Sequence, residues 1–299
     1  MKILSLYSGG GGIDLGFKKN KFKTVLAIEN WDIACATLKN NKISPNIICD
    51  DIRNVNFKDI KKNYKIDIIV GGPPCPPFSK SRFYLKKKKR GMEDEDSHTL
   101  INYFLAIKTI KPKAFFFENV HGFVFKPHRS ALEYFKRESK KLGYNISHKV
   151  INCADYGVPQ IRQRFICIGF QKCFGTFQFP NPTHSNQDNE NNLFFLPWAT
   201  CKEAIGDLDY KLKEDKIKIP GSKDKHLLKL VPPGDNYLFF TKERGYSKPL
   251  FKWRSRYWSF LLKLSPSKPS WTIQASFSNN MGPFHWSNRF LRITEIKRL

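Results

Sequence analysis

Several features that would define the class of this 299-residue chain at once are missing from it. No Cys-x-x-Cys pair occurs, and no spacing among the seven cysteines, at positions 35, 49, 75, 153, 167, 173 and 201, is typical of a zinc site. We therefore expect reduced thiols and no metal. No apolar run approaches the roughly 18 residues of a transmembrane helix, and glycines interrupt the N-terminal segment too early for a signal peptide. These absences predict a soluble, cytoplasmic protein without a membrane partner.

Acidic residues are also scarce. Lysine and arginine number 52 against 26 aspartates and glutamates, a net charge of +26. Such an excess predicts a polyanionic partner, with nucleic acid as the first candidate. An AT-rich genome that over-uses lysine would explain part of the excess, but not twice as many cations as anions. A membrane surface is disfavoured because no basic amphipathic helix with an apolar face is present.

Short apolar, β-branched segments predict the strands of an open sheet. The five predicted strands are residues 3–7, 24–28, 46–49, 66–70 and 114–117. Helical stretches such as 32–40 and 100–110 separate some of them, and this alternation predicts a parallel sheet. Ligands of such sheets bind at the carboxyl ends of the strands, so residues that follow the strands are the candidates for a site.

The first strand ends in a glycine-rich turn at residues 8–12, which opens a helix. This arrangement is typical of nucleotide binding, but no Gly-Lys-Ser/Thr follows, so the turn is not a Walker loop. Glu29 ends the second strand 20 residues after Gly9, near the spacing at which a carboxylate reaches a ribose hydroxyl. Trp31 could cover an adenine ring or belong to the core.

A stiff loop follows the fourth strand. Four prolines bracket Cys75, and prolines restrict the backbone, so the loop can hold one thiol in one place. This favours a nucleophile, with a rigid turn that merely contains a cysteine as the alternative. Residues 80–98 are highly charged and contain Lys86 and Lys87 in their basic half. They predict a loop that contacts phosphates or, alternatively, a solvated surface loop.

The regular alternation of strands and helices ends in the second half of the chain. Residues 145–152 and 164–170 predict two further strands, and Arg162 and Arg164 stand at alternating positions that would point the same way on a strand. Residues 186–270 are irregular and rich in aromatic residues, lysine and proline. Within them, Arg254 and Arg256 stand beside tryptophan and tyrosine, a pairing that suits nucleic-acid contact.

The ordered set of motifs resembles the cytosine-5 DNA methyltransferases of bacterial restriction–modification systems. Residues 6–12 resemble that family's first S-adenosylmethionine motif, with Tyr7 where phenylalanine is usual. Residues 72–79 resemble its nucleophile motif, with Pro76 in place of glutamine. Glu118-Asn119-Val120, Gln160-x-Arg162-x-Arg164 and the stretch from Leu291 to Leu299 match three further motifs.

The resemblance implies an α/β fold. We expect a Rossmann-like, S-adenosylmethionine-dependent methyltransferase sheet with helices on both faces, plus a smaller, mixed and mostly irregular or β target-recognition domain. The expected boundaries are 1–185 for the catalytic and cofactor-binding domain, 186–270 for target recognition and 271–299 for a segment that returns to the catalytic domain.

The resemblance also implies a chemistry. Cys75 would attack C6 of a flipped cytosine, Glu118 would supply a proton or donor at N3, and Arg164 with Arg162 would hold the base carbonyl and the loop. The implied residues for S-adenosylmethionine, and for its product S-adenosylhomocysteine, are Tyr7, Gly9, Gly11, Gly12, Glu29, Trp31, Asp51, Ile52 and Pro74. The implied contacts to DNA are Ser79, Asn119, Gln160, Lys86, Lys87, Arg254 and Arg256.

Partners and rival functions follow from the same resemblance. The partners implied are double-stranded DNA and a cognate restriction endonuclease in the same system, which need not be bound. The family continues past the position of Leu299 with a further motif. We therefore expect a split enzyme completed by a second small polypeptide, with a shortened form of a longer chain or a frameshifted gene as alternatives. The rival functions are a transfer-RNA cytosine-5 methyltransferase, a DNA-binding subunit inactive without a partner chain, and a nicotinamide dehydrogenase.

Overall fold

A seven-stranded sheet is the framework of the first part of the computed structural model, which describes residues 1–74, 98–186, 194–210, 224–274 and 280–299. The strands of the described residues are β1 (Lys2–Leu6), β2 (Lys23–Glu29), β3 (Ile47–Cys49), β4 (Ile68–Gly71), β5 (Ala114–Val120), β6 (Tyr144–Asn152), β7 (Gln160–Ile161), β8 (Gln163–Gln171), β9 (His184–Ser185), β10 (Leu196–Pro197) and β11 (Ser270–Trp271). The sheet order is β3-β2-β1-β4-β5-β8-β6. Strands β1 to β5 pair in parallel, and β8 runs antiparallel to β5.

All five predicted parallel strands are confirmed. The largest difference is at β5, which extends through Glu118, Asn119 and Val120 instead of ending before them. The extension is explained by β8, which pairs with β5 as far as Val120 and Arg164. Because side chains alternate along a strand, Glu118 and Asn119 point to opposite faces of the sheet.

Helices cover both faces of the sheet, as predicted. They are α1 (Gly12–Lys19), α2 (Asp32–Asn40), α3 (Phe57–Asn63), α4 (His98–Ile110) and α5 (Arg129–Lys141). One face packs against α3, α4 and α5 around the buried rings of Phe117 and Phe135, whose centroids are 4.6 Å apart. On the other face, α1 contributes Ile13 and Phe17 and α2 contributes Leu38. None of the described helices is long and apolar enough to cross a membrane.

The face that carries α1 is only partly covered by the described residues. Beyond Phe17 and Phe22, over β4, β5 and β8, lies an open apolar cavity of about 380 Å³. We call it the phenylalanine groove, and its lining is Met1, Phe17, Phe22, Ile68, Lys113, Ala114, Phe115, Phe116, Ile168, Phe170, Phe174 and Phe177. An open apolar surface of this kind commonly marks an interaction site.

The described residues divide into two compact units, which are 1–151 with 163–180, and 152–162 with 181–299. Residues 152–162 and 271–299 therefore group with the second unit, although the sequence-based boundaries assigned 152–162 to the catalytic domain and 271–299 to a returning segment. The grouping has a clear cause in hydrogen bonding. β11 pairs with β7, and the Gln160 side chain donates to the carbonyl of Leu299 at 3.0 Å.

The second unit is mixed and mostly irregular, as predicted. Its regular elements are the two-residue strands β7, β9, β10 and β11, the helices α6 (Cys201–Ile205) and α7 (Ile293–Ile296), and several 3₁₀ turns. Its core is aromatic, with Tyr237, Phe240 and Phe284 almost fully buried. The Tyr237 ring stands edge-on to Phe251 and Phe260. In the described part of this unit, aromatic packing takes the place of long backbone ladders.

Two cysteines depart from the prediction of reduced thiols. Cys35 in α2 and Cys49 at the end of β3 form a disulfide, with Cα atoms 6.1 Å apart. The prediction was wrong here because α2 returns along the sheet and brings residues 14 positions apart into contact, which spacing alone does not reveal. Among the described residues, Cys153, Cys167, Cys173 and Cys201 are not disulfide-bonded. Burial raises the pKa of Cys201 to about 12, so this thiol is inert.

Candidate active site

The glycine turn after β1 packs tightly against α2. Gly11 has φ 85°, a left-handed conformation that favours glycine, and its N–H donates to the Ser8 carbonyl at 2.9 Å. A Cβ on Gly11 would lie 3.0 Å from side-chain atoms of Leu38 and Ile43. Gly11 is therefore needed both for its backbone conformation and for close packing. The helix α1 starts at Gly12, the last residue of the predicted turn.

Tyr7 lies between β1 and the glycine turn in a left-handed conformation, with φ 54°. Such a backbone costs free energy in a bulky residue and is concentrated at functional sites. The Tyr7 hydroxyl donates to the carbonyl of Thr99 at 2.6 Å, which joins the end of β1 to the start of α4. Burial, and then the charge of Asp51, raise the pKa of Tyr7 far above its usual range, so the hydroxyl stays protonated.

Glu29 braces the backbone on both sides of the site. One carboxylate oxygen accepts the Gly9 N–H at 2.8 Å. The other accepts the N–H groups of Asn30 and Trp31, each at 3.0 Å. The carboxylate thus ties the glycine turn to the beginning of α2. Oxygens with two lone pairs each leave it capacity to accept further hydrogen bonds.

A cavity of about 130 Å³ lies at the carboxyl ends of β1 to β4. It brings together five residues that the sequence predicted for the cofactor, namely Tyr7, Glu29, Asp51, Ile52 and Pro74. Six further lining residues were not predicted: Ile28, Asn30, Asp50, Gly72, His98 and Thr99. The strand-end rule could have identified Asn30, Asp50 and Gly72, whereas no sequence signal connects His98 and Thr99 to the site.

Four other predicted cofactor residues do not line this cavity. Gly9, Gly11 and Gly12 shape the turn beside it, and Trp31 is 61% exposed at the start of α2. Asp51, the second residue after the third strand, is held in the ionised form. Hydrogen bonds from Arg53 lower the pKa of Asp51 to about 2. The cavity therefore presents a fixed negative charge beside an apolar wall formed by Ile28 and Ile52, which fits a ribose with an adjoining purine.

Glu118 and Arg164 form an ion pair across the β5–β8 ladder. Arg164 Nε lies 2.8 Å from Glu118 Oε1, and both side chains are largely shielded from solvent. The second oxygen, Oε2, lies over the end of β4, where a Cβ on Gly72 would approach it to 2.9 Å. Glu118 therefore lies close to the base of the proline-rich loop, and Arg164 holds one of its oxygens.

Asn119 secures the same loop from the other side of β5. It is 2% exposed, and its Nδ2 donates to the Pro73 carbonyl at 3.3 Å. This gives Asn119 a positioning contact that the sequence did not reveal. Cys75 follows two residues after Pro73, but Cys75, Ser79, Lys86 and Lys87 lie outside the described residues.

Arg162 and Arg164 do not share a strand, so the prediction that they point the same way from one strand was wrong. The chain leaves the short strand β7 at Ile161 and enters β8 at Gln163, with Arg162 between them. The Arg162 N–H donates to Asn152 Oδ1 at 3.0 Å, which interrupts the ladder. Arg162 belongs to the second unit and Arg164 to the first. Gln160 is likewise buried within the second unit against Leu299.

Known proteins resemble the chain throughout. Residues 1–294 match the family of C-5 cytosine-specific DNA methylases. The chain is 32% identical to the type II methyltransferase M.SacI of Streptomyces achromogenes, over 100% of this chain and 83% of that protein. It is 31% identical to the type II methyltransferase M.NgoFVII of Neisseria gonorrhoeae, over 95% of this chain and 72% of that protein.

A solved structure supports the fold independently. A protein encoded within an E. coli prophage, assigned as a DNA modification methyltransferase, matches with a TM-score of 0.64 at 18% identity. The match covers 100% of this chain and 87% of that protein. At this identity the likeness concerns the fold alone.

An open α/β sheet with an acid-lined cavity at its strand ends is the architecture of a nucleotide-cofactor enzyme. The chain belongs to the C-5 cytosine-specific DNA methylase family. It is a DNA cytosine-5 methyltransferase of the kind found in type II restriction–modification systems. Family membership implies S-adenosylmethionine as the cofactor and DNA as the substrate.

Proposed function

We propose that the chain methylates a flipped cytosine through a covalent bond between the Cys75 sulfur and C6 of the base. Addition of a thiolate at C6 turns C5 into an enamine carbon, which is nucleophilic enough to accept a methyl group. Loss of the C5 proton and release of the thiol then restore the aromatic ring. A cytosine inside a duplex cannot reach a thiol at the end of a strand, so the proposal includes base flipping.

Glu118 is the proposed donor at N3. As the sulfur adds to C6, electron density moves toward N3, and a proton or hydrogen bond there stabilises the adduct. The single observation that supports the proposal is the position of Glu118 Oε2, which a Cβ on Gly72, at the base of the loop that leads to Cys75, would approach to 2.9 Å. Arg164 holds the other oxygen and so fixes which oxygen faces the base.

The cavity at the strand ends is the proposed site for the cofactor. Glu29 would accept hydrogen bonds from ribose hydroxyls, and the apolar wall at Ile28 and Ile52 would contact the adenine. When bound, S-adenosylmethionine supplies the methyl group on a sulfonium and leaves as S-adenosylhomocysteine. The chain itself holds the glycine turn in position, because Glu29 accepts a hydrogen bond from the Gly9 N–H.

Covalent trapping tests the proposal directly. DNA that contains 5-fluorocytosine cannot lose a proton from C5, so the Cys75 adduct should persist through denaturing electrophoresis. We expect a trapped complex with the wild-type chain and none with Cys75→Ser, while Cys173→Ser, an exposed thiol, should trap normally. Failure of the wild-type chain to trap while it methylates ordinary DNA would contradict the mechanism. RNA of the same sequence should give no complex.

The second unit is the proposed target-recognition domain. Its exposed cations and aromatic side chains suit contact with double-stranded DNA, and a restriction–modification role implies a cognate endonuclease that cuts the same sequence. An enzyme acting on bacterial DNA would work in the cytoplasm.

The phenylalanine groove is the proposed docking site for a second polypeptide. Its lining is apolar apart from Lys113, and the exposed Phe174 stands at its rim. An amphipathic helix of a partner chain would bury these rings and complete the helix layer on this face. The product of the neighbouring reading frame is the candidate partner.

Co-purification and activity test this partner. We expect the neighbouring product to co-purify with the chain and to raise its methylation activity, because it would cover the groove and stiffen the sheet beneath the cofactor site. Phe174→Asp should abolish co-purification, whereas Phe194→Asp, which changes a 96% exposed phenylalanine of the second unit, should leave it intact. Full activity of the isolated chain, with no effect of Phe174→Asp, would reject the proposal.

A further inference from the structure

A short loop of the second unit exposes an unusual set of side chains. Residues 252–258 read Lys-Trp-Arg-Ser-Arg-Tyr-Trp, and all seven are exposed, although buried residues follow directly. Trp253 is 41% exposed, Tyr257 63% and Trp258 53%. The loop thus presents three cations and three large aromatic rings, without an acid, to solvent. Such a surface costs solubility and is typical of a binding site for a polyanion.

The loop is held by its own backbone. Lys252 O accepts the Ser255 N–H at 3.2 Å and the Ser255 hydroxyl at 2.7 Å, which closes a four-residue turn. A second turn closes where the Phe260 N–H donates to the Tyr257 carbonyl at 2.9 Å. Two consecutive closed turns leave the backbone little freedom, so the side chains are presented from a fixed frame.

Two buried residues clamp the loop to the core. The Tyr237 hydroxyl donates to the Arg256 carbonyl at 2.9 Å and accepts the Arg256 N–H at 3.2 Å. Asn236 Nδ2 donates to the Trp258 carbonyl at 2.8 Å. Both clamping side chains are 1% exposed. Fully satisfied buried polar groups rigidify the segment they hold, so these hydrogen bonds fix the centre of the loop.

Arg254 and Arg256 are placed differently. Arg256 has its backbone clamped, and its guanidinium carbon lies 5.7 Å from the Phe260 ring centroid. Arg254 occupies the third position of the first turn with φ 53°, where glycine is strongly favoured. An arginine at this position strains the backbone, and strain of this kind is retained at functional sites. Its guanidinium carbon lies 5.9 Å from the ring centroid of the exposed Trp253.

We propose that Arg254 reads a guanine of the recognition sequence in the major groove, with its guanidinium donating to O6 and N7. The inference rests on the proposed role of the second unit in DNA recognition. A planar fork of donors matches these two acceptors, and an adjacent ring keeps the fork oriented. Trp258, whose ring centroid is 5.7 Å from that of Trp271, forms an apolar wall on the same surface that suits thymine methyl groups or sugar edges. Tyr237 and Asn236 are positioning residues for this loop.

Selection from a randomised duplex library tests the assignment without requiring catalysis. The chain, with S-adenosylhomocysteine present, would be allowed to bind the library, and the bound fraction would be sequenced. We expect Arg254→Gly to reduce the preference for one guanine by about 10- to 100-fold and to leave the other positions unchanged. Because glycine relieves the strained turn, its melting temperature should equal or exceed that of the wild type. A melting temperature at or above the wild-type value would show that a lost preference for guanine does not result from a loss of folding.

Matched variants distinguish the possible outcomes. Lys252→Ala removes an exposed charge in the same turn and should weaken binding to all sequences alike, with the preference intact. Tyr237→Phe keeps the buried ring and removes only the clamp, so it should reduce the preference at the same guanine by less. An unchanged preference in Arg254→Gly overturns the assignment to Arg254 alone. A wild-type chain that shows no preference, or binds RNA more tightly than duplex DNA, overturns the recognition role of the unit as well.

Discussion

Replacing Glu118 with glutamine should slow methyl transfer by about 10²- to 10⁴-fold, the range expected for removal of a positioned acid. Glutamine keeps the shape of the side chain but cannot supply a proton to N3 of the adduct. It also leaves Arg164 without the carboxylate that now lies 2.8 Å from its Nε. Single-turnover methylation of a saturating DNA duplex would measure the chemical step. Glu133→Gln, an exposed carboxyl on α5, is the matched control and should retain the wild-type rate.

A double-mutant cycle shows whether Glu118 and Arg164 act together. If Arg164 serves mainly to orient Glu118, then Arg164→Gln added to Glu118→Gln should slow the reaction little further. If Arg164 also contacts the base independently, the two effects should multiply. A wild-type single-turnover rate in Glu118→Gln would show that Glu118 does not act in the reaction, whatever the result for Arg164.

The strands and their ends were predictable because buried strands are short apolar segments and because they alternate with helices along the sequence. In a parallel sheet flanked by helices, every strand must be apolar, and every strand points its carboxyl end to the same edge. That rule, with the spacing from Gly9, predicted Glu29 near the glycine turn, and the family resemblance implied Asp51; both line one cavity in the structure. No finer knowledge of packing was needed.

Contacts between distant segments were not predictable in this way. His98 lines the cavity because α4 begins beside it. The local sequence around His98 contains no signal that predicts this position. Arg162 and Arg164 were misassigned to one strand because the interruption depends on a hydrogen bond that the Arg162 N–H donates to Asn152, ten residues away. The disulfide of Cys35 with Cys49 depends on how α2 returns along the sheet. Local patterns predict elements, whereas tertiary hydrogen bonds decide where an element stops.

A buried ionic cluster lies within the second unit around Glu295. Arg289 donates to both oxygens of Glu295, at 2.7 and 2.8 Å, and the Arg292 N–H donates to the same carboxylate at 2.8 Å. The Glu295 side chain is 0% exposed. Beside it, His285 is also fully buried, accepts the Ser287 N–H through Nδ1, and has Nε2 3.8 Å from Glu295 Oε1.

The folded state disfavours protonation of both His285 and Glu295, so both groups make stability depend on pH in the same direction. Burial, and then the charge of Arg289, lower the pKa of His285 to about 4. The charges of Glu295 and Asp209 raise this pKa to a smaller extent, and the charge of Arg292 lowers it slightly. Burial alone would raise the pKa of Glu295, but the hydrogen bonds from Arg289 and Arg292 outweigh it and lower that pKa. Both folded-state values lie below the unfolded ones, so both groups contribute stability at neutral pH that is lost as the pH falls.

We therefore expect the free energy of unfolding of the second unit to fall as the pH drops from about 6.5 to about 4, by about 3 kcal/mol through His285. Loss through Glu295 should continue at lower pH. Urea denaturation followed by tryptophan fluorescence reports this unit, because five of the six tryptophans, at 198, 253, 258, 271 and 286, lie in it. His285→Asn should flatten the dependence between pH 6.5 and 4, whereas His226→Asn, an exposed histidine of the same unit, should preserve it.

Breaking the ion pair should have a larger effect. Glu295→Gln leaves the Arg289 charge buried and only partly paired, and a change of this kind costs about 3–5 kcal/mol. Replacing both partners, as in Arg289→Met with Glu295→Leu, should cost less than the single change, because no unpaired charge remains in the core. A single variant with wild-type stability at pH 7, or a double variant less stable than Glu295→Gln, would show that the cluster is not the electrostatic anchor of this unit.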